Sequence, residues 1–324
     1  MDTELINGTL SRSILSLLSR RAMYGYEIFV TVKEETDGVL EWKAESLYPS
    51  LHKLEKDGMI RGEWEGKPDT RQRKYYHITK AGRSALGEYK ESNAFYLWMG
   101  AILLAIPIVG RFDVYTLQSS LSELPLQSKI HAALYATWPV VFLLQSVLVA
   151  KGNAQLHRYL GTVGVLLALL MVPAGLTVIH SAAAGSVATG ADGNTDVDTD
   201  GATLVWISLY SVISFAIFVG LGIVFRHRLE AHKRLMLLAT IVVSSATLDP
   251  LARMVTENVL PFILTVNLSL LSAPFIRDRV CGSRIHWVNR WGLGLFFPGA
   301  LLFTLIVPSS DLGKQIVKLI AGIQ

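Results

Sequence analysis

The rhythm of apolar positions along this chain changes once, near residue 93, and the change divides the chain in two. Before it, short apolar stripes alternate with charge. Ser11–Arg20 (SRSILSLLSR) places Ile14, Leu15, Leu17 and Leu18 on one helical face behind Ser11, a capping residue type. Tyr24-Gly25-Tyr26 punctuates, and Glu27–Glu35 predicts a second helix. A third, about Ala44 to Asp57, carries Leu47, Leu51 and Leu54 at i, i+4 and i+7. Gly58 follows, where a helix commonly ends in a left-handed residue. Met59–Trp64 and Arg73–Thr79 predict two short strands around the turn-rich GKPDTRQ, and a last helix starts near Thr79.

After Ala94 the stripes give way to seven apolar stretches, near 94–110, 130–150, 158–180, 202–225, 235–253, 259–276 and 286–307. As helices they can cross a hydrocarbon core of about 30 Å. Only Thr256-Glu257-Asn258 separates the fifth from the sixth, so six spans plus a re-entrant pair is the alternative. The expected architecture is mainly α: a soluble domain over residues 1–92, then an all-α transmembrane bundle of about seven helices over residues 93–324. At the junction, GEYKESNAFYLWMGAILLA, Gly87 is a weak point in the helix. Tyr96 and Trp98 are aromatic residues suited to the membrane interface.

Composition sharpens this division. The average over 324 residues, 51% hydrophobic with a mean hydropathy of +0.39, hides it. Residues 1–92 hold 15 of the 30 Lys and Arg and 15 of the 26 Asp and Glu, leaving 15 basic and 11 acidic residues for the rest. The formal charge of +4 therefore belongs to the apolar part and says nothing about nucleic acid. A single cysteine, Cys281, excludes an internal disulfide and argues against a Cys-based zinc site. MDTELINGTL has neither the basic nor the apolar region of a cleavable signal peptide. No nucleophile–base triad, phosphate-binding glycine loop or thiol redox pair is evident, so no enzyme is expected.

With residues 1–92 placed in the cytoplasm, the second, fourth and sixth connections between spans face inward. They carry Lys151 and Arg158; Arg226, Arg228, Lys233 and Arg234; and Arg277, Arg279, Arg284 and Arg290. Arg111, Lys129, Arg253, Lys314 and Lys318 fall outside. The two-to-one bias agrees with the positive-inside rule. The expected location is thus the cell membrane, multi-pass, with a cytoplasmic N-terminal domain. The amphipathic tail DLGKQIVKLIAGIQ is expected to lie on the outer face.

Helix, helix, helix, hairpin, helix is the order of a winged helix-turn-helix, whose third helix enters the major groove while the hairpin touches the backbone. Three blocks, Gly25-Tyr26-Glu27, LYPSLHKLEKDGMI (Leu47–Ile60) and RQRKYYHITKAGR (Arg71–Arg83), resemble the PadR-like transcriptional regulators over residues 5–90. Glu45 departs from the pattern, where such proteins commonly carry glycine. The resemblance implies double-stranded operator DNA as partner and a homodimer. Candidate DNA contacts are Ser46, Tyr48, His52, Lys53 and Lys56 on or near the third helix, with Lys67, Arg71 and Arg73 on the wing. Lys and Arg neutralise phosphates; Ser, Tyr and His reach base edges or phosphate oxygens. Solvated charge and helix packing are the plainer account of the same residues.

The second part offers three weaker constellations. Asp196, Asp198, Asp200 and Gly201 fit the opening of a calcium loop, but its twelfth position is Ile207 rather than Glu. A solvated acidic loop explains them as well. His131, His157, His180 and His232 sit at span ends, and the pairs His157 with His232 and His131 with His180 are candidates for a haem or metal ion. Segments around His131, His157 and His232 resemble uncharacterised bacterial multi-pass membrane proteins and, more distantly, membrane b-type cytochromes. Asp249 and Arg253 are four apart and suited to a helical ion pair. The function expected is a membrane-tethered transcriptional regulator controlled by a small-molecule or redox signal sensed among lipid-facing helices. The alternative is a membrane redox, haem- or metal-binding protein with a cytosolic winged-helix regulatory module.

Overall fold

The computed structural model describes residues 9–35, 44–66, 72–110, 125–189, 195–245, 247–281 and 284–323. The chain divides into two compact units. One comprises Met1–Phe95 with Leu148–Ala154, the other Tyr96–Val147 with Gln155–Gln324.

The first unit opens with α1 (Thr9–Leu18), β1 (Met23–Tyr24), α2 (Gly25–Glu35) and α3 (Ala44–Lys56). β2 (Ile60–Glu65), β3 (Arg73–Ile78) and the first part of α4 (Lys80–Gly110) follow. Ile14, Leu15, Ile28, Leu47, Leu51, Leu54 and Ile60 fill one core, so the leucine stripe of the third helix faces inward as its spacing predicts. At the end of α3, Gly58 takes φ +71°, and its N–H and that of Met59 reach the Glu55 and Leu54 carbonyls. This is a Schellman cap, and it turns the chain directly into the hairpin. β2 and β3 pair antiparallel from Ile60 opposite Ile78 to Glu65 opposite Arg73. β1 adds to the other side of β3, giving the order β1-β3-β2. This third strand, two residues long, stands where the sequence reads as punctuation.

Thr79 explains where α4 begins. Its Oγ1 accepts from the Gly82 N–H at 3.1 Å as an N-cap does, and the same hydroxyl lies 2.7 Å from the Gly58 carbonyl. The cap therefore joins the start of α4 to the end of α3. Gly82 completes the joint: a Cβ there would sit 2.2 Å from the Met59 carbonyl oxygen. Helix α4 runs unbroken through Gly87 to Gly110.

The second unit continues with α5 (Leu126–Ala150), α6 (Ala154–Ser186), the hairpin β4 (Val187–Thr189) and β5 (Thr195–Val197), and α7 (Thr199–Val224). Next come α8 (Leu229–Ser245), α9 (Leu248–Val255) and α10 (Val259–Val280). The chain ends with α11 (Trp287–Trp291), a π-helical turn (Gly292–Phe296), α12 (Phe297–Leu305) and α13 (Asp311–Ile320). Helices α4, α5, α6, α7 and α10 are each long and apolar enough to cross a membrane.

Two of the seven apolar stretches differ from this simple form. The fifth divides into the 17 residues of α8 and the eight of α9. The seventh is interrupted by the π turn, at whose end Tyr210 Oη donates to the Phe296 carbonyl at 2.7 Å. Tyr210 also stacks on Phe296 and Phe303. Hydropathy averages over such breaks, which is why the sequence shows seven equal stretches.

The unit is packed by Trp138, Met171, Phe215 and Val242 in one cluster and by Ile179, Val205, Trp206 and Val317 in another. Val317 is on α13, so one face of the amphipathic tail packs onto the helices of this unit. Several polar groups inside it are paired. Trp138 Nε1 donates to Thr240 Oγ1 at 3.1 Å. Asp278 accepts from Arg234 Nη2 at 2.8 Å, Asn289 Nδ2 at 2.7 Å and the His286 N–H at 3.1 Å. Arg234 also pairs with Glu230.

Candidate nucleic-acid interface

Helix α3 has two dissimilar sides. Leu47, Leu51 and Leu54 are buried, whereas Tyr48, His52, Lys53 and Lys56 are exposed. Tyr48, His52 and Lys56 recur every four residues, so with Lys53 they form one outward stripe. The spacing that buries the leucines thereby aims two cations, an imidazole and a phenol away from the core. Tyr48 also has a packing role: its ring lies 3.0 Å from where a Gly25 Cβ would stand. Gly25 and Tyr48, in separate sequence blocks, are thus one contact.

The wing is fastened to this helix by Glu55. Its Oε2 accepts from Lys74 Nζ at 2.8 Å, and its Oε1 accepts from the Gly62 N–H at 3.1 Å. One carboxylate so joins α3 to both strands. The Lys74 ammonium holds the Glu55 carboxyl below the usual carboxylate range, and the carboxylate raises Lys74 in return. Both groups are therefore charged at neutral pH, and Lys74 is committed to the joint. Arg73 lies with its guanidinium 4.6 Å from the centre of the Tyr24 ring, and Tyr24 packs edge-on against Tyr75. On β2, Trp64 is 66% exposed. Sequence periodicity does not single it out, because an alternating strand gives no sign of which aromatic stays outside.

Of the predicted DNA contacts, Tyr48, His52, Lys53 and Lys56 share the outer side of α3, and Arg73 begins β3. The backbone of Ser46 lies within α3; its side chain, and Lys67 and Arg71 entirely, lie outside the described residues. The joint made by Glu55, Lys74, Thr79 and Gly82 was not foreseen. Its one local signal is the Thr-x-x-Gly spacing at the start of α4.

In the second unit, His157 and His232 come together, with ring centroids 6.5 Å apart. His131 and His180 engage separate carbonyls, those of Ala174 at 3.4 Å and Ile320 at 2.7 Å. Asp198 caps α7 by accepting from the Gly201 N–H at 2.8 Å, Asp196 accepts from the Val197 N–H, and Asp200 is exposed in the first turn of α7. Among the described residues no three His, Cys, Asp or Glu side chains form a metal-holding group. The Asp249 side chain, half of the expected pair with Arg253, lies outside the described residues.

Three helices, a hairpin wing and a capped fourth helix define a winged helix-turn-helix domain. Residues 14–88 match the transcriptional regulator PadR-like family. A curated protein of Lysinibacillus sphaericus, described as uncharacterized, is 34% identical over 86 residues, which are 26% of this chain and 79% of that relative. Through this domain the chain belongs to the PadR-like family. It is also similar to the structure of a transcriptional regulator from Clostridium thermocellum, with 34% identity, 28% of this chain and 86% of the other covered, and a TM-score of 0.25. A second similar structure is Bacillus subtilis PadR in complex with operator DNA, at 18% identity, 49% and 99% coverage and a TM-score of 0.24.

Proposed function

We propose that this protein is a membrane-tethered transcriptional regulator. Its winged helix binds operator DNA as a homodimer, and its apolar helices, anchored in the cell membrane, sense a signal that controls that binding. The observation that carries the reading is the outward stripe of α3, in a domain of a transcriptional-regulator family, on a chain with five span-capable helices. Lys53 and Lys56 neutralise phosphates, and His52 and Tyr48 reach base edges. Ser46, Lys67, Arg71 and Arg73 complete the contact, and exposed Trp64 adds an apolar wing surface. The domain 1–92 is cytoplasmic, in keeping with the two-to-one excess of Lys and Arg on the inner connections of the domain 93–324. This function is regulatory and not enzymatic.

The test is binding of the detergent-purified full chain to its own promoter DNA, measured by fluorescence anisotropy over a range of salt. Sequence-preferring, salt-sensitive binding is expected. Lys53→Ala and Lys56→Ala should each lower the slope of log K against log salt by about 1. Binding without sequence preference, or a slope that neither substitution moves, refutes the reading. A flexible Gly/Ser insertion after Ser92 separates tether from coupler: intact DNA binding with lost reporter control supports sensing through α4, whereas unchanged control leaves only a tether.

A further inference from the structure

The pairing of His157 with His232 leaves chemistry that DNA binding does not use. His157 is near the start of α6 and His232 near the start of α8, and their rings stand nearly perpendicular with centroids 6.5 Å apart. His232 Nδ1 lies 2.8 Å from the Gly222 carbonyl, so Nδ1 carries the proton and Nε2 presents a lone pair. The His232 imidazole is therefore set in one tautomer by a backbone group, the arrangement that outer partners impose on metal-binding histidines. His157 Nδ1 is buried without a partner.

A third acceptor stands beside His157. The Gln145 amide donates from Nε2 to the His157 carbonyl at 3.1 Å, and its Oε1 is buried without a partner. The Gln145 amide on α5 thus lies against the His157 backbone on α6, and the His157 ring lies against that of His232 on α8. The two imidazole donors suit a borderline divalent ion of the first transition row better than a hard ion such as Mg²⁺.

We propose that His157, His232 and Gln145 form a binding site for a divalent transition-metal ion such as Zn²⁺ or Cu²⁺, with water in the remaining positions. Metal–nitrogen bonds of about 2.0–2.1 Å put two imidazole centroids on one tetrahedral ion about 5 Å apart, so the two side chains close by about 1 Å on binding. The site stands independently of the transcriptional reading, and its test uses no DNA.

The test is titration of the chelator-stripped, detergent-purified full chain with Zn²⁺ by calorimetry. One equivalent per chain is expected to bind, and His157→Ala or His232→Ala should weaken it at least tenfold, with Gln145→Leu weakening it less. His180→Ala, which removes a histidine elsewhere in the unit, leaves the affinity unchanged. Zn²⁺ affinity that neither His157→Ala nor His232→Ala lowers overturns the site. The unsubstituted chain supplies a second readout that does not depend on folded variants. Its one-equivalent Cu²⁺ complex should show nitrogen hyperfine structure from two imidazoles by electron paramagnetic resonance, and a spectrum without nitrogen coupling overturns the proposal.

Discussion

The two units handle charge in opposite ways. In the winged unit the joint between α3 and the wing is the pair Glu55–Lys74, about a quarter of each side chain exposed. In the helical unit the corresponding joint is Arg234–Asp278, with side-chain exposures of 6% and 1%. Water screens the first pair and attenuates its worth to about 0.2–1 kcal/mol. The second pair has been taken out of water, so its members depend on each other and on the surrounding donors. Asp278 meets that need with three, from Arg234, Asn289 and His286. The same two kinds of charge thus act as an adjustable clasp in one unit and as an obligatory one in the other.

The largest effect is expected of Asp278→Ala. It leaves the Arg234 guanidinium buried with one carboxylate fewer, and a loss of about 3–5 kcal/mol is expected as a large fall in thermal midpoint in detergent. The double substitution Arg234→Met with Asp278→Leu should cost less than Asp278→Ala alone, because no uncompensated charge remains. Equal losses would show that the pair is not coupled.

Gly82→Ala follows in size. The new methyl meets the Met59 carbonyl, a backbone atom that side-chain rotation cannot move, and a loss of about 1–3 kcal/mol is expected. The same substitution at Gly87, whose Cβ would meet nothing within 4 Å, should be neutral or stabilising by up to about 1 kcal/mol. Thermal unfolding of both variants checks the contrast, and similar behaviour would remove the α3–α4 joint from the account.

The smallest effect is that of pH on Glu55. Its folded-state pKa is lowered, so its contribution is present above the ordinary value of 4.5 and fades as the pH falls below that and through the folded-state value. Unfolding of the native chain and of Glu55→Gln should therefore differ by under about 1 kcal/mol at pH 7 and converge in acid. A difference that grows as the pH falls would reverse the sign of the argument.

What the sequence reveals tracks how local each cause is. The leucine stripe of α3, Gly58 and the hairpin follow from spacing and turn chemistry within a few residues, and all three appear in the fold. β1 is too short to show a period and exists only because β3 offers it an edge. Asp198 illustrates the opposite difficulty: alternating aspartates resemble a calcium loop, yet the backbone places this one as a helix cap. Thr79, Gly82 and Met59 meet across about twenty residues of chain, and Gly25 meets Tyr48 likewise, so no window of neighbouring residues contains the reason for either glycine. Exposed α3 positions were legible by elimination, since the buried face was. The approach of His157 to His232 spans 75 positions; the sequence suggests the pair from two imidazoles at ends of apolar stretches on the same side, without giving its geometry.

The π turn at Gly292–Phe296 acts as a one-residue phase shift. Each residue of an α-helix advances the azimuth by about 100°, so the additional residue turns everything beyond it by that angle. Before the shift Val288 and Asn289 are buried, with Asn289 on the Asp278 carboxylate; at its end and beyond it, Phe296 and Phe303 stack on Tyr210. An uninterrupted helix of the same residues could satisfy one of these appointments but not both. The glycine-rich GLGLF is thus an indexing device, which lets a single rod keep two faces in register with two different neighbours.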